Sequence, residues 1–538
     1  MRSLSKRLAP ADLNCDTVGM VPVFGWRPHV SHFVYLAQAV RACGMSLKTL
    51  RCDASIATCY NREIKGGAAK RLACTSCRIS TSVPASYADT RSLFGNYEDG
   101  EPPPQSADWA ASSYRTITRT ERSELDDSDL QSALFQRLEA SCAQTYSRVS
   151  AWIEAEKIDF VFFFNGRMDI TRATMEACRD AGIRYAAIER SIFNWGIQIN
   201  PMTSCLDLTA LHRVSAQYAK VPLDSLAADF AGTLLAARIY NMPEHITEWR
   251  AYNTRRVAVE WPAPGSRRIL LIPSSANEIE GNINYWMEWS NTTHGMEAVM
   301  DALGINADEA VMRGHPNWSE QIGTASGNAS DMHYRNWCES KGIHYIPPDS
   351  RADTNSLIAA SDLVIVSHSS AAFEATALRR PVINIRNALY SEAGISFNMR
   401  TRAELEANIG KVRAAMQEDT GADERRRCLL RLLFTLAKRM PLFPDDVRPS
   451  GSTSTVMYRP ASYERFKSIL QAGELVPAEY PAAETAHFED AVLAGIDERS
   501  FKLMNLDACY RPTGPHISYP KGFRLAENLR ARFRRGDL

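Results

Sequence analysis

Residues 360–385 read ASDLVIVSHSSAAFEATALRRPVINI, and the order of residue types along that stretch decides the fold. Residues 363–366 are an uninterrupted aliphatic run, the composition of a strand buried on both faces. A tight polar turn follows at 367–370, and helical composition begins at Ala371. Pro381 then opens a second β-branched run, a position where its missing N–H costs no ladder bond. Strand, polar turn, helix and strand make one βαβ unit of a parallel sheet. Ser369 and Ser370 at the helix start gather hydroxyls and free backbone N–H groups at the positive end of the helix dipole, which is the chemistry of a phosphate site. The alternative is that one of them only caps the helix.

The same alternation extends in both directions. RRILLIPSS (267–275), ADEAVMRGHP (307–316) and GIHYIPP (342–348) supply further strands of the same unit. Upstream, TVGMVPVFGW (17–26), IDFVFFFNG (158–166) and IRYAAIERS (183–191) are strands separated by helical patterns. Leu130, Leu134, Leu138, Cys142 and Tyr146 recur every four residues and give a long helix one apolar face. Between the halves, VEWPAPGSRR (259–268) breaks the pattern with prolines and a glycine. The expected fold is therefore α/β, with two Rossmann-like, doubly wound domains facing across a cleft. The first spans 1–258 with a cysteine-rich excursion at 52–77, the second 266–440, and an irregular, partly helical extension runs over 441–538.

A chain of 538 residues is too long for one core, in keeping with that division. Its 62 Lys and Arg balance 62 Asp and Glu, so no global field selects nucleic acid. No apolar run reaches the roughly 18 residues of a membrane span. The amino-terminal stretch lacks the apolar core of a secretory signal, so the expected location is cytoplasmic, peripheral at most to the inner membrane. The carboxyl-terminal KGFRLAENLRARFRRGDL (521–538) interleaves basic residues with Phe523, Leu525, Leu529 and Phe533. It reads either as a solvated helix or as a basic amphipathic segment contacting an anionic membrane.

VMRGHPNW (311–318) ends a strand at Pro316 and holds His315 in extended geometry at the strand's carboxyl edge, where ligands of open α/β sheets bind. Imidazole there can donate to a phosphate oxygen or assist a leaving group near neutral pH, with Arg313 adding positive charge. Glu374, one turn into the helix after Ser370, either supports the dipole or accepts hydrogen bonds from a ribose diol.

RGHP at 313–316, SHSSAAFEA at 367–375 and RRPVINI at 379–385 together resemble the bacterial capsule polysaccharide biosynthesis family of GT-B glycosyltransferases. That group is similar to Kdo transferases, polysialyltransferases and CDP-glycerol phosphotransferases. The resemblance implies that His315 and Ser369/Ser370 hold the phosphate of a nucleotide-activated sugar, and Arg313 and Glu374 complete the candidate nucleotide-binding set. It departs at Arg380, where the family carries glycine.

In the first half, Asn165, Gly166 and Arg167, then Glu189 and Arg190, stand at strand ends that resemble the same family's Asn-Gly-Arg and Glu-Arg-Gly, with Ser191 replacing the last glycine. Glu189 is the candidate general base for an acceptor hydroxyl and Asp169 the second candidate, the alternative being an ion pair with Arg190 or Arg167. Arg27, His29 and His32 in the first βα turn are candidate ligand contacts. Cys52, Cys59, Cys74 and Cys77 are either four reduced structural thiols or the ligands of a structural zinc (an iron–sulfur cluster being the rarer variant).

The expected activity is transfer of a sugar from a nucleotide-activated donor to a polysaccharide or glycolipid acceptor of the cell surface. No catalytic metal is expected, because no Asp-x-Asp stands at a strand end. A non-hydrolysing nucleotide-sugar 2-epimerase and a non-catalytic scaffold of a capsule assembly complex are the alternatives.

Overall fold

Two six-stranded sheets carry the molecule, and both are wound in the same order. The computed structural model describes residues 16–65, 69–92, 103–121, 124–193, 195–240, 242, 257–322, 325–450, 455–506, 514–517, 523 and 525. The first sheet contains β1 (Thr17–Val21), β2 (Ser46–Arg51), β3 (Asp89–Ser92), β4 (Phe160–Phe164), β5 (Arg184–Arg190) and β6 (Ile197–Pro201). Its spatial order is β3-β2-β1-β4-β5-β6, parallel except for β6, which runs antiparallel along β5. The second contains β7 (Ile269–Ile272), β8 (Ala310–Arg313), β9 (His344–Ile346), β10 (Leu363–Val366), β11 (Val382–Asn384) and β12 (Phe397–Asn398). These lie in the order β9-β8-β7-β10-β11-β12, all parallel.

Each order is the 3-2-1-4-5-6 of a doubly wound Rossmann sheet, whose winding reverses between its first and fourth strands. The fold is α/β and GT-B-like, two Rossmann-like domains facing across a cleft. Central strands such as β4, β7 and β10 are buried at every residue because helices cover both faces. On the first sheet the helix Ala133–Glu156 lays Trp152, fully buried, across β1. Gly19 permits that approach, since a Cβ there would stand 2.5 Å from the indole. In the second sheet Val366 pairs with Ile272, so the chains leaving β7 and β10 emerge side by side at the reversal.

The helices do not respect the boundaries read from sequence. Ser225–Ile239 lies within the first 258 residues, yet Ala228, Phe230, Ala231 and Leu235 pack into the core of the second sheet. Its apolar residues surround it on all sides, so it belongs where two layers can cover it. Residues beyond 441 are no mere appendage either. Phe443, Val447, Phe466, Ile469 and Leu470 complete the first sheet's core, whereas Val492, Leu493 and Ile496 of the helix His487–Asp497 return to the second. The chain thus crosses between the two cores again after residue 440. Among the described residues, no helix is long and apolar enough to cross a membrane. Of the basic terminal segment, only Phe523, buried beneath the Arg27 guanidinium, and the exposed Leu525 fall within the described residues.

Candidate active site

A cavity of about 570 Å³ opens at the carboxyl edge of the second sheet, where β7 and β10 diverge. Its walls include Ser274 and Ser275 from the loop after β7, Arg313 and His315 after β8, and His368, Ser369 and Ser370 after β10. Glu374 and Arg238 close one side, and Arg190 reaches in from the first domain. The five residues expected to bind nucleotide therefore line one space. A second cavity, about 680 Å³, continues into the first domain past Glu189, and Arg190, Tyr285 and Leu389 line both.

His315 initiates the turn Pro316–Ser319, its Nδ1 accepting the Asn317 N–H at 3.2 Å. That bond leaves the imidazole proton on Nε2. Burial, reinforced by the Arg313 and Arg119 guanidinium charges, pushes its pKa down to about 4. His315 is thus a neutral hydrogen-bond donor at physiological pH, not the titrating group its ordinary pKa would suggest. Neighbouring His368 is held down to about 3, first by burial and then by Arg386 and His315.

Arg313 lines the cavity with its positive charge held in place. Its guanidinium donates to the carbonyls of Pro347 and Ser350, so it braces the loop after β9. A further cation at the cavity, beside Arg313 and Arg190, is Arg238, which arrives on the helix Ser225–Ile239. It pairs with Glu374, Nε lying 2.8 Å and Nη2 2.7 Å from Oε1, and approaches Ser370 Oγ at 3.5 Å. Three polar atoms of the cavity wall, Ser274 Oγ, Asn277 Nδ2 and Glu374 Oε2, are buried and find no hydrogen-bond partner among the described residues. Buried polar atoms are nearly always satisfied, so these three leave hydrogen-bonding capacity at the wall. Ser274 adds a left-handed φ of 65°, rare for a residue with a side chain.

On the first domain, Glu189 ends β5. Its Oε1 accepts the Arg190 N–H at 2.9 Å and stands 3.3 Å from His29 Nε2. Burial raises its pKa to about 7 against the opposing pull of the Arg190 N–H and the Arg190 and Arg167 charges. Arg167 donates to Ser112 and Thr116 of its own domain and reaches across the cleft to the Glu278 carbonyl. Glu121 bridges the domains as well, its Oε1 accepting from Ser275 Oγ at 2.8 Å and Trp318 Nε1 at 3.0 Å. Asn165 is a local organiser, accepting from Arg167 N and Thr171 Oγ1.

Asp169 does not belong to the site. It is fully buried at the start of the helix Asp169–Asp180, where its Oδ2 accepts the Tyr60 N–H at 2.8 Å and anchors the preceding loop. The four cysteines are not gathered as ligands either: Cys77 donates to the Val23 carbonyl, Cys52 accepts from Ala54 N, and no group of three or more His, Cys, Asp or Glu among the described residues is placed to hold a metal ion. Sequence reasoning missed Arg238 and the loop 274–277. Arg238 stands on the helix Ser225–Ile239, which falls inside the span 1–258 read for the other domain.

No family model matches the chain, and no curated protein does. Solved structures similar to it include Thermosulfurimonas dismutans KpsC, a beta Kdo 2,7 transferase, at 11% identity over 65% of this chain and 89% of that one, with a TM-score of 0.34. Methanocaldococcus jannaschii UDP-GlcNAc 2-epimerase, solved with UDP-GlcNAc and UDP, is 12% identical over 74% and 92%, with a TM-score of 0.27. The glycosyltransferase SnogD from Streptomyces nogalater is 12% identical over 79% and 95%, at 0.21. At such values the likeness adds nothing to what the strand orders establish.

Proposed function

We propose that the protein is a glycosyltransferase, moving a sugar from a nucleotide-activated donor to a capsular or other cell-surface polysaccharide. The observation that carries this reading is the cavity at the strand-order reversal, with three unpartnered polar atoms and the donors His315, Ser369 and Ser370 on its walls. Such a reversal is where open α/β sheets bind nucleotides. The donor's phosphates meet the neutral Nε2–H of His315 and the serine hydroxyls, while Glu374 Oε2 suits a ribose diol.

The acceptor enters through the contiguous cavity. Its hydroxyl proton passes to the Glu189 carboxylate as its oxygen bonds to the anomeric carbon, and the bond from that carbon to the phosphate oxygen breaks. The nucleotide leaves with the bonding pair, its charge met by hydrogen-bond donors already in place. A pKa near 7 suits a base that must be free at neutral pH and still accept a proton.

The test is thermal denaturation with UDP, GDP, CDP, CMP and their sugar conjugates, for the wild type and His315→Ala. One nucleotide class should stabilise the wild type. Loss of a hydrogen bond to a charged phosphate, about 1.5–3 kcal/mol, should weaken its binding by roughly ten- to a hundredfold in the variant. No stabilisation of the wild type by any of them would overturn the reading. Release of free nucleotide without transfer would move it to the epimerase chemistry.

A further inference from the structure

We propose that His29 is a positioning residue for Glu189, a buried imidazole whose Nε2–H orients the carboxylate on the wall of the acceptor cavity. The inference rests on Glu189 being the base. His29 opens the helix His29–Ala42, which follows β1 at the point where the first sheet's strand order reverses. Its Nε2 lies 3.3 Å from Glu189 Oε1, with the two side chains 9% and 27% exposed. The ring packs against Phe164 at the end of β4, centroids 4.3 Å apart, which fixes its plane. Nδ1 is buried without a partner among the described residues. A proton on Nδ1 would be stranded, whereas Nε2 faces the Glu189 carboxylate at 3.3 Å.

The charges around the pair favour the same assignment. His32 lies on the same helix, ring centroids 6.1 Å apart and fully buried; Arg27 comes from the preceding loop and Arg190 from β5. Around Glu189 stand Arg190, Arg167 and Glu278, with the Cys205 thiol nearby. Burial first, then His32, Arg190 and Arg27, holds His29 well below its ordinary pKa. The imidazole is therefore neutral whenever Glu189 titrates. A neutral donor stabilises the carboxylate against the burial that would protonate it, and adds no competing charge to the acceptor site.

The experiment is ¹⁵N spectroscopy of the full-length chain labelled at histidine, from pH 5 to 9. His29 is assigned, among eleven histidines, by the signal lost in His29→Gln. The expected result is a neutral Nε2–H imidazole throughout, whose shift inflects near pH 7 and loses that inflection in Glu189→Gln. A proton on Nδ1, protonation of His29 above pH 6, or an inflection that survives Glu189→Gln overturns the proposal.

Urea unfolding provides a second readout. Glu189, with its pKa raised on folding, stabilises most below about 4.5 and loses that contribution as pH rises through about 7. His29→Leu should carry the decline to higher pH, and His29→Gln, which keeps an N–H donor, should follow the wild type. A His29→Leu curve that superimposes on the wild type overturns the proposal. Failure of the nucleotide panel would remove the donor-site reading and leave this pair intact, and failure of the imidazole result would do the reverse.

Discussion

Asp169 and Glu189 are both carboxyls that burial holds near pH 7, and their surroundings assign them different work. Glu189 borders a cavity. Asp169 borders none of those described and holds the backbone of Tyr60. For Asp169 the folded value of about 7 lies above the ordinary 3.8, so the native state keeps its proton longer than the unfolded chain. Its stabilising contribution is complete below about pH 3.8 and is lost as pH rises through about 7. Asp169→Asn keeps an acceptor for the Tyr60 N–H but does not titrate. It should flatten the fall in urea midpoint between pH 5 and 8 and leave nucleotide stabilisation unchanged. Glu189→Gln should abolish sugar transfer with nucleotide binding retained, a split measured by calorimetry beside a transfer assay. Both carboxyls were visible in the sequence, each at an expected strand end or helix start. Nothing local separated them, because depth of burial is set by the helix Ser106–Thr118 that packs over Asp169, its Ser113 Oγ accepting the Asp169 N–H.

At the scale of elements, βαβ alternation was legible because a central parallel strand must be apolar on both faces and its connections must be polar. β4 and β10 declared themselves in that way. Glycine positions were legible only as glycines. That Gly19 exists to admit Trp152 needed the packing of the helix Ala133–Glu156 onto β1. Gly19→Ala should overpack that contact and lower stability by about 1–3 kcal/mol, read as a drop in urea midpoint. The His-Pro turn is another element whose role changed with context. Arg313 was expected to face a phosphate, yet two carbonyls of the neighbouring loop take its guanidinium. Arg313→Met should leave those carbonyls unsatisfied at a cost of about 1–3 kcal/mol and loosen the loop carrying Asp353, Thr354 and Asn355 of the cavity wall. Protease cleavage near residue 350, faster than in the wild type, would report it.

The whole molecule is tied together by segments that change domains. Phe443, Val447, Met457, Phe466 and Leu470 fill the first core, and the helix His487–Asp497 closes the second with Glu489, fully buried, against Arg431 at 2.8 Å. Removing one member of such a pair strands the other, at about 3–5 kcal/mol. Glu489→Ala should therefore lower the melting temperature sharply, and removal of 441–538 should yield insoluble chain in expression trials because both cores lose a layer. Across the cleft, Glu121 and Arg167 bind loops of the opposite domain that also line the cavity at the second sheet's carboxyl edge.

By itself the sequence determined the two doubly wound sheets and the residue types at their carboxyl edges, since alternating burial and turn chemistry are written in neighbouring residues. Only the tertiary structure decided that His315 is neutral, that Arg238 is the cation beside Glu374, that Asp169 is buried scaffolding, and that described residues beyond 441 belong to both cores. Those outcomes depend on burial and on charges brought together from distant segments. Burial depth and through-space charge have no local signature, so no stretch of residues could have announced them.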